Sequence, residues 1–147
     1  MIVKSLDHLK LLSRKVADNL SQKDFIYLIG EIGVGKTTFT RYLINYLQEK
    51  EGIDITEVPS PTFNLLYEYD FNNYKVMHYD FYRINEEKEL KQLGIFSENQ
   101  STIKIFEWPN IIKTPVSDKL EIHIDYVKNE TERELKFIGT GKWQNFE

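Results

Sequence analysis

Gly30-Glu31-Ile32-Gly33-Val34-Gly35-Lys36-Thr37 matches the pattern G-x-x-x-x-G-K-[ST] in full. Each position suits a polyphosphate. The glycines let backbone N–H groups curl around an anion and approach it closely. A helix starting near Lys36 would point its positive dipole end at the same anion. The lysine ammonium reaches β- and γ-phosphates, and the Thr37 hydroxyl ligates Mg²⁺. Thr38 adds a hydroxyl near an α-phosphate. The expected nucleotide contacts are therefore Glu31, Ile32, Gly33, Val34, Gly35, Lys36, Thr37 and Thr38. Chance occurrence in a chain this long is on the order of 1% from average residue usage. The deciding test is whether the string joins a strand to a helix.

It does. Phe25-Ile26-Tyr27-Leu28-Ile29 is a short, continuous apolar run ending in glycine, as a fully buried parallel strand reads. Residues 36–49 follow a helical period, with Phe39, Tyr42, Leu43, Tyr46 and Leu47 as the core-facing stripe.

A phosphate loop needs an acid for the metal shell and a group to orient the attacking water. Two acids are candidates. Asp80 lies in Val76-Met77-His78-Tyr79-Asp80-Phe81-Tyr82-Arg83, and Glu107 directly follows Ile103-Lys104-Ile105-Phe106, which reads as another short strand. Strand alternation puts His78, Asp80 and Tyr82 on one side. Glu107 ends a hydrophobic strand, where catalytic acids of parallel sheets are often placed. His78 on its own reads as a structural residue, and Trp108 on its own as core. Ser60-Pro61-Thr62 is a turn by composition, yet its place between the loop's helix and the next strand is where a hydroxyl can sense a γ-phosphate and its Mg²⁺. No Asn-Lys-x-Asp string for reading guanine occurs, which favours ATP over GTP.

The other elements frame these residues. Residues 5–20 read as a helix with Ser5 as N-cap and Leu9, Leu12, Val16 and Leu20 on one face. Residues 63–70 and 74–82 read as strands joined by a polar turn at Asn72-Asn73, and 86–93 as a short helix. Residues 119–126 alternate, with Leu120, Ile122, Ile124 and Tyr126 on one face and Glu121, His123 and Asp125 on the other. Residues 132–138 partly repeat that pattern after a Lys128–Asn129 turn, predicting an antiparallel hairpin with one wet face. The expected fold is α/β: a P-loop three-layer sandwich with a mixed, partly parallel sheet and a C-terminal hairpin. The 147 residues show no linker or repeat and read as one domain.

Composition narrows the class. With 41% hydrophobic residues the chain can build a core unaided, and the absence of cysteine excludes disulfides and thiolate zinc sites. No signal-like start and no run approaching the ~20 apolar residues of a membrane span is present, so the cytoplasm is expected. The 19 basic residues against 23 acidic leave a net charge of −4, opposite to a protein that grips nucleic acid by itself.

Four blocks, taken together, resemble the bacterial TsaE (YjeE) family: residues 30–39, Ser60-Pro61-Thr62-Phe63, His78-Tyr79-Asp80-Phe81-Tyr82-Arg83, and Glu107-Trp108-Pro109. Glu89-Leu90 and Leu93-Gly94-Ile95 echo the family's middle segment. The similarity spans about residues 25–126 and leaves the C-terminal hairpin without a transferred function. The resemblance implies an ATPase of tRNA threonylcarbamoyladenosine (t6A) biosynthesis. It implies that Thr62 is the switch-like threonine, Asp80 the metal-shell acid, Glu107 a catalytic or Mg²⁺-binding acid, and that Trp108 lies near the nucleotide. It implies partnership with TsaD and TsaB, with tRNA met only through that complex, and ATP turnover that supports or resets it.

The expected machinery is then Lys36, Asp80 and Glu107 for catalysis, Thr37, Asp80 and Glu107 for Mg²⁺, and the loop with Thr62 and Trp108 for ATP. No arginine finger is evident in a flexible loop, so hydrolysis is expected to be slow alone and faster with partners. Two other readings stand beside this one. A small-molecule P-loop kinase would clamp its phosphoryl group with several arginines, whereas only Arg14, Arg41, Arg83 and Arg133 occur. A non-catalytic nucleotide-sensing adaptor would bind ATP without hydrolysing it.

Overall fold

The computed structural model describes residues 1–96, 101–127 and 131–147. The elements run β1 (Ile2–Val3), α1 (Leu6–Asp18), β2 (Phe25–Ile29), α2 (Lys36–Glu51), β3 (Leu66–Asp70), β4 (Lys75–Asp80), α3 (Glu87–Gln92), β5 (Thr102–Glu107), β6 (Lys119–Tyr126) and β7 (Arg133–Thr140), with 3₁₀ turns at Pro109–Ile111 and Gly141–Trp143. The strands form one sheet in the order β1-β7-β6-β2-β5-β4-β3. β2 lies parallel to both β5 and β6, and β4 parallel to β5. The flanking pairs β3/β4, β6/β7 and β1/β7 are antiparallel. The sheet is therefore mixed with a parallel centre. The Lys128–Asn129 turn lies outside the described residues, but the antiparallel β6/β7 pairing it was expected to join is present.

The two faces explain the apolar patterns. Ile26, Leu28, Val76, Ile103, Ile105, Leu120, Ile122 and Ile124 pack under α1 and α2. Tyr27, Tyr79 and Phe106 face the other way, under Phe81, Leu90 of α3 and Ile95. Burying alternate residues on both faces requires the near-continuous hydrophobic strands seen at β2 and β5. Tyr126, expected with the inward residues of β6, is exposed instead. Asp125 faces water, but Glu121 and His123 are half-buried, with Glu121 bonded to Lys119 and His123 at 2.9 Å each.

α1 starts where Ser5 Oγ accepts the His8 N–H at 3.1 Å. Leu20 falls beyond its C-terminus yet still packs on the core. α2 ends at Gly52, whose φ of +68° suits a residue without Cβ. Its deep stripe is Phe39, Leu43, Ile44 and Leu47. Tyr42 and Tyr46, expected in that stripe, sit at its edge against α1: Tyr46 donates to Asp18 at 2.8 Å, and Arg14 lies over its ring.

Two strands are shorter than their residue types suggest. β3 begins at Leu66 rather than residue 63, because residues 61–65 close a turn with Leu65 N–H on the Pro61 carbonyl and Leu65 at a left-handed φ of 68°. β4 ends at Asp80, so Tyr82 lies past the strand and does not share its face with His78 and Asp80. β1 was not anticipated: two residues cannot show a period. Among the described residues no helix is long and apolar enough to cross a membrane.

Candidate functional site

The loops leaving the C-terminal ends of β2, β4 and β5 meet at one edge of the sheet, the position that open α/β sheets use for ligands. Gly30 leaves β2 against β6; a Cβ there would collide with the Ile124 carbonyl oxygen and crowd Val34. Gly33 and Gly35 hold φ values of 78° and 121°, which L side chains avoid. α2 starts at Lys36 with no side-chain cap and no acid in its first turn. Its N-terminal N–H groups and positive dipole end therefore face the cleft without an internal anion.

Lys36 is almost wholly buried. Its ammonium donates to the Gly30 carbonyl and, at 3.3 Å, to that of Glu31, and sits 3.8 Å from the centre of the Trp108 ring. Burial pushes its pKa below the ordinary lysine value, while the charges of Glu107 and Asp80 pull the other way.

The two acids stand side by side. Asp80 of β4 and Glu107 of β5 are register partners, 4% and 3% exposed. Thr37 Oγ1 lies 3.0 and 3.2 Å from the two Glu107 carboxylate oxygens. Thr62 donates to Asp80 Oδ2 at 2.9 Å and is itself 2.7 Å from the Ser60 hydroxyl. The Tyr82 N–H caps Asp80 Oδ1 at 2.9 Å. His78 Nε2 lies 2.6 Å from Glu107 Oε2.

Ile32, Gly33, Gly35, Lys36, Thr37, Thr38, Thr62, Asp80, Glu107 and Trp108 line a single cleft of about 190 Å³, together with Ser60. Glu31 and Val34 do not line it. Glu31 points to solvent, its carbonyl holding Lys36 and the Val34 N–H. Val34 is buried in the core beneath the loop. Trp108, read as core from its residue type, instead borders the cleft at a left-handed φ of 58°, its ring 4.9 Å from that of Tyr82.

Sequence reasoning missed two contributors. His78 was read as structural, although its place two residues before Asp80 on one strand face was the signal that it would reach the site. Arg133 of β7 donates from Nε to the Val34 carbonyl at 2.8 Å and stacks over Tyr126, 4.3 Å from the ring centre. No local pattern announces that contact.

The donor set suits Mg²⁺. The Thr37 hydroxyl and the Asp80 and Glu107 carboxylates supply hard oxygen ligands, and among the described residues no group of three His, Cys, Asp or Glu could hold a metal by itself. Mg²⁺ is commonly held in this way, by one or two carboxylates plus substrate phosphates.

The model of the family "Threonylcarbamoyl adenosine biosynthesis protein TsaE" matches residues 3–135. The chain belongs to the TsaE family. Among its relatives named tRNA threonylcarbamoyladenosine biosynthesis protein TsaE, that of Rickettsia conorii is 33% identical over 126 residues, covering 85% of this chain and 70% of the relative. The TsaE of Bacillus subtilis is 31% identical over 134 residues, covering 90% and 80%. The crystal structure of Bacillus subtilis YdiB superposes with a TM-score of 0.72 at 25% identity, over 97% of this chain and 85% of that one. The TsaE match reaches Arg133, so β6 and the start of β7, with the arginine that braces the loop, lie within the family's span.

Proposed function

We propose that this chain is the Mg²⁺-dependent ATP-binding and ATP-hydrolysing component of the t6A modification machinery, supporting or resetting a TsaB–TsaD transferase complex in the cytoplasm. The observation that carries this reading is Thr37 on Glu107, with Asp80 beside them at the mouth of a phosphate loop.

The backbone N–H groups of residues 32–37 donate to phosphate oxygens, and Lys36 exchanges its carbonyl contacts for the β- and γ-phosphates. Thr37, Asp80 and Glu107 hold Mg²⁺, which neutralises charge on the phosphates when bound. Glu107, or a group next to it, orients water for in-line attack. Thr62, tied to Asp80, is placed to register the γ-phosphate. No arginine lines the cleft among the described residues, which supports slow hydrolysis alone and stimulation by a partner. The net charge of −4 supports contact with protein rather than direct binding of tRNA.

The test is multi-turnover t6A formation with TsaB, TsaD, the threonylcarbamoyl-adenylate supplier and unmodified tRNA, with phosphate release followed in parallel. Wild type should raise turnover and consume ATP, and Lys36→Ala should do neither while keeping its fold. Tight ATP binding with no hydrolysis, even with partners, would establish a nucleotide-sensing adaptor instead. Phosphate transfer to an added metabolite would establish a kinase.

A further inference from the structure

We infer that His78 is a positioning residue for Glu107, holding its carboxylate in the orientation that serves Thr37 and the metal; this inference rests on the proposed function. His78 is fully buried, and the only hydrogen-bond partner of its ring among the described residues is Glu107. Its ring stands on the α2 face of β4, next to Val76 and Asp80 on the same strand, and in register with Ile105 of β5 and Tyr67 of β3. Nδ1 has no partner. A leucine would fill the same space without an unpaired polar atom, so as core filler alone histidine is the costlier choice.

Its value lies at the carboxylate. Glu107 is almost inaccessible to water, and its oxygens are approached by two donors, His78 and Thr37. Thr37 carries a single proton and serves one oxygen at a time. The short contact from Nε2 anchors Oε2, which Thr37 also approaches at 3.0 Å, and so sets the plane of the carboxylate in which Oε1 lies 3.2 Å from Thr37. Without His78 the carboxylate is free to rotate about its last torsion, a broad and soft one. The phosphate contacts come from the loop and Lys36, to which the His78 ring makes no hydrogen bond among the described residues. Loss of His78 should therefore strike turnover and metal affinity and spare ATP binding.

The experiment compares wild type with His78→Leu, His78→Gln and His78→Asn. Glutamine can present an N–H near the Nε2 position, whereas asparagine is too short to reach Glu107. The readouts are kcat and KM for ATP with the partner complex, Mn²⁺ affinity by electron paramagnetic resonance with a non-hydrolysable ATP analogue, and Tm. His78→Leu and His78→Asn should lose about tenfold or more in kcat and in Mn²⁺ affinity, the range seen when partners of metal ligands are removed. KM for ATP should stay within about twofold, and His78→Gln should recover most of both losses. If His78→Leu does not fold, the Asn and Gln pair carries the comparison. A lowered Tm with unchanged kcat and Mn²⁺ affinity would overturn the inference, as would a folded Gln variant no better than Asn. A wild type that binds Mn²⁺ with the analogue but never hydrolyses ATP overturns the hydrolysis reading alone, because the Mn²⁺ comparison still decides the role of His78.

Discussion

The Lys36 ammonium sits over the Trp108 ring, 3.8 Å from its centre, while donating to the Gly30 carbonyl. A desolvated contact of this kind is worth about 2 kcal/mol. A lysine drawn onto phosphates would shift over the indole, and Trp108 itself borders the cleft, so Trp108 should report occupancy. Only one other tryptophan exists, Trp143, buried against Phe146. Adding Mg²⁺-ATP should change tryptophan emission in wild type and in Trp143→Phe, and leave Trp108→Phe silent. A response surviving in Trp108→Phe would refute the arrangement.

Arg133→Ala removes the charged donor on the Val34 carbonyl and the contact with Tyr126. A charge-assisted hydrogen bond contributes about 1.5 kcal/mol, so Tm should fall by roughly 3 to 6 °C. Because Val34 belongs to the phosphate loop, the Kd for ATP should rise roughly three- to tenfold. Calorimetric titration and melting on the same sample separate the two effects. An unchanged Kd would confine Arg133 to supporting the fold.

Gly30→Ala should be far worse than Gly52→Ala, although both replace a glycine that directly follows an element, Gly30 after β2 and Gly52 after α2. At Gly30 the added methyl meets the Ile124 backbone, which cannot yield. Overpacking of that kind costs about 3 kcal/mol. At Gly52 the space is open and only the left-handed φ of 68° is strained, at about 1 kcal/mol. Urea melts of the two variants give the comparison, and equal losses would contradict the packing at Gly30.

Acid should loosen the face opposite α1 and α2. The Glu87 carboxylate accepts the Lys113 and Thr114 N–H groups and the Thr114 hydroxyl. These bonds, with the Lys113 N–H first, hold its pKa below the ordinary glutamate value. A carboxylate depressed in the folded state stabilises it fully above its unfolded pKa. That contribution is lost as pH falls from about 4.3 through the folded value. Tm against pH from 3 to 7 should therefore drop less steeply at the acid end in Glu87→Gln than in wild type, and parallel curves would rule the contacts out as a source of acid sensitivity.

What could be read from residue order was local. The run at Phe25–Ile29, the alternation of Leu120, Ile122 and Ile124, and the Ser5 cap each carry their own period or hydrogen-bonding logic. The loop and both acids could be singled out because binding a polyphosphate would call for those residue types, and the structure gathers them around one cleft. Pairing between distant strands was not. The register that sets Asp80 beside Glu107, and brings Arg133 onto Val34, depends on tertiary packing. Leu65 and Trp108 illustrate a second limit, since their left-handed backbones follow from surrounding contacts that leucine and tryptophan do not signal.

The strand that launches the phosphate loop has a temporal consequence. β2 pairs with β5 and β6 and with no earlier strand, and the arginine that clamps the loop arrives later still. While the chain emerges from the ribosome, residues 30–38 are synthesised early but have no sheet to stand on until residues 102–126 have followed. A truncated product would carry the whole motif and no working site. The loop thus gains its support only near the close of translation, and an interrupted chain carries the motif without the strands that position it.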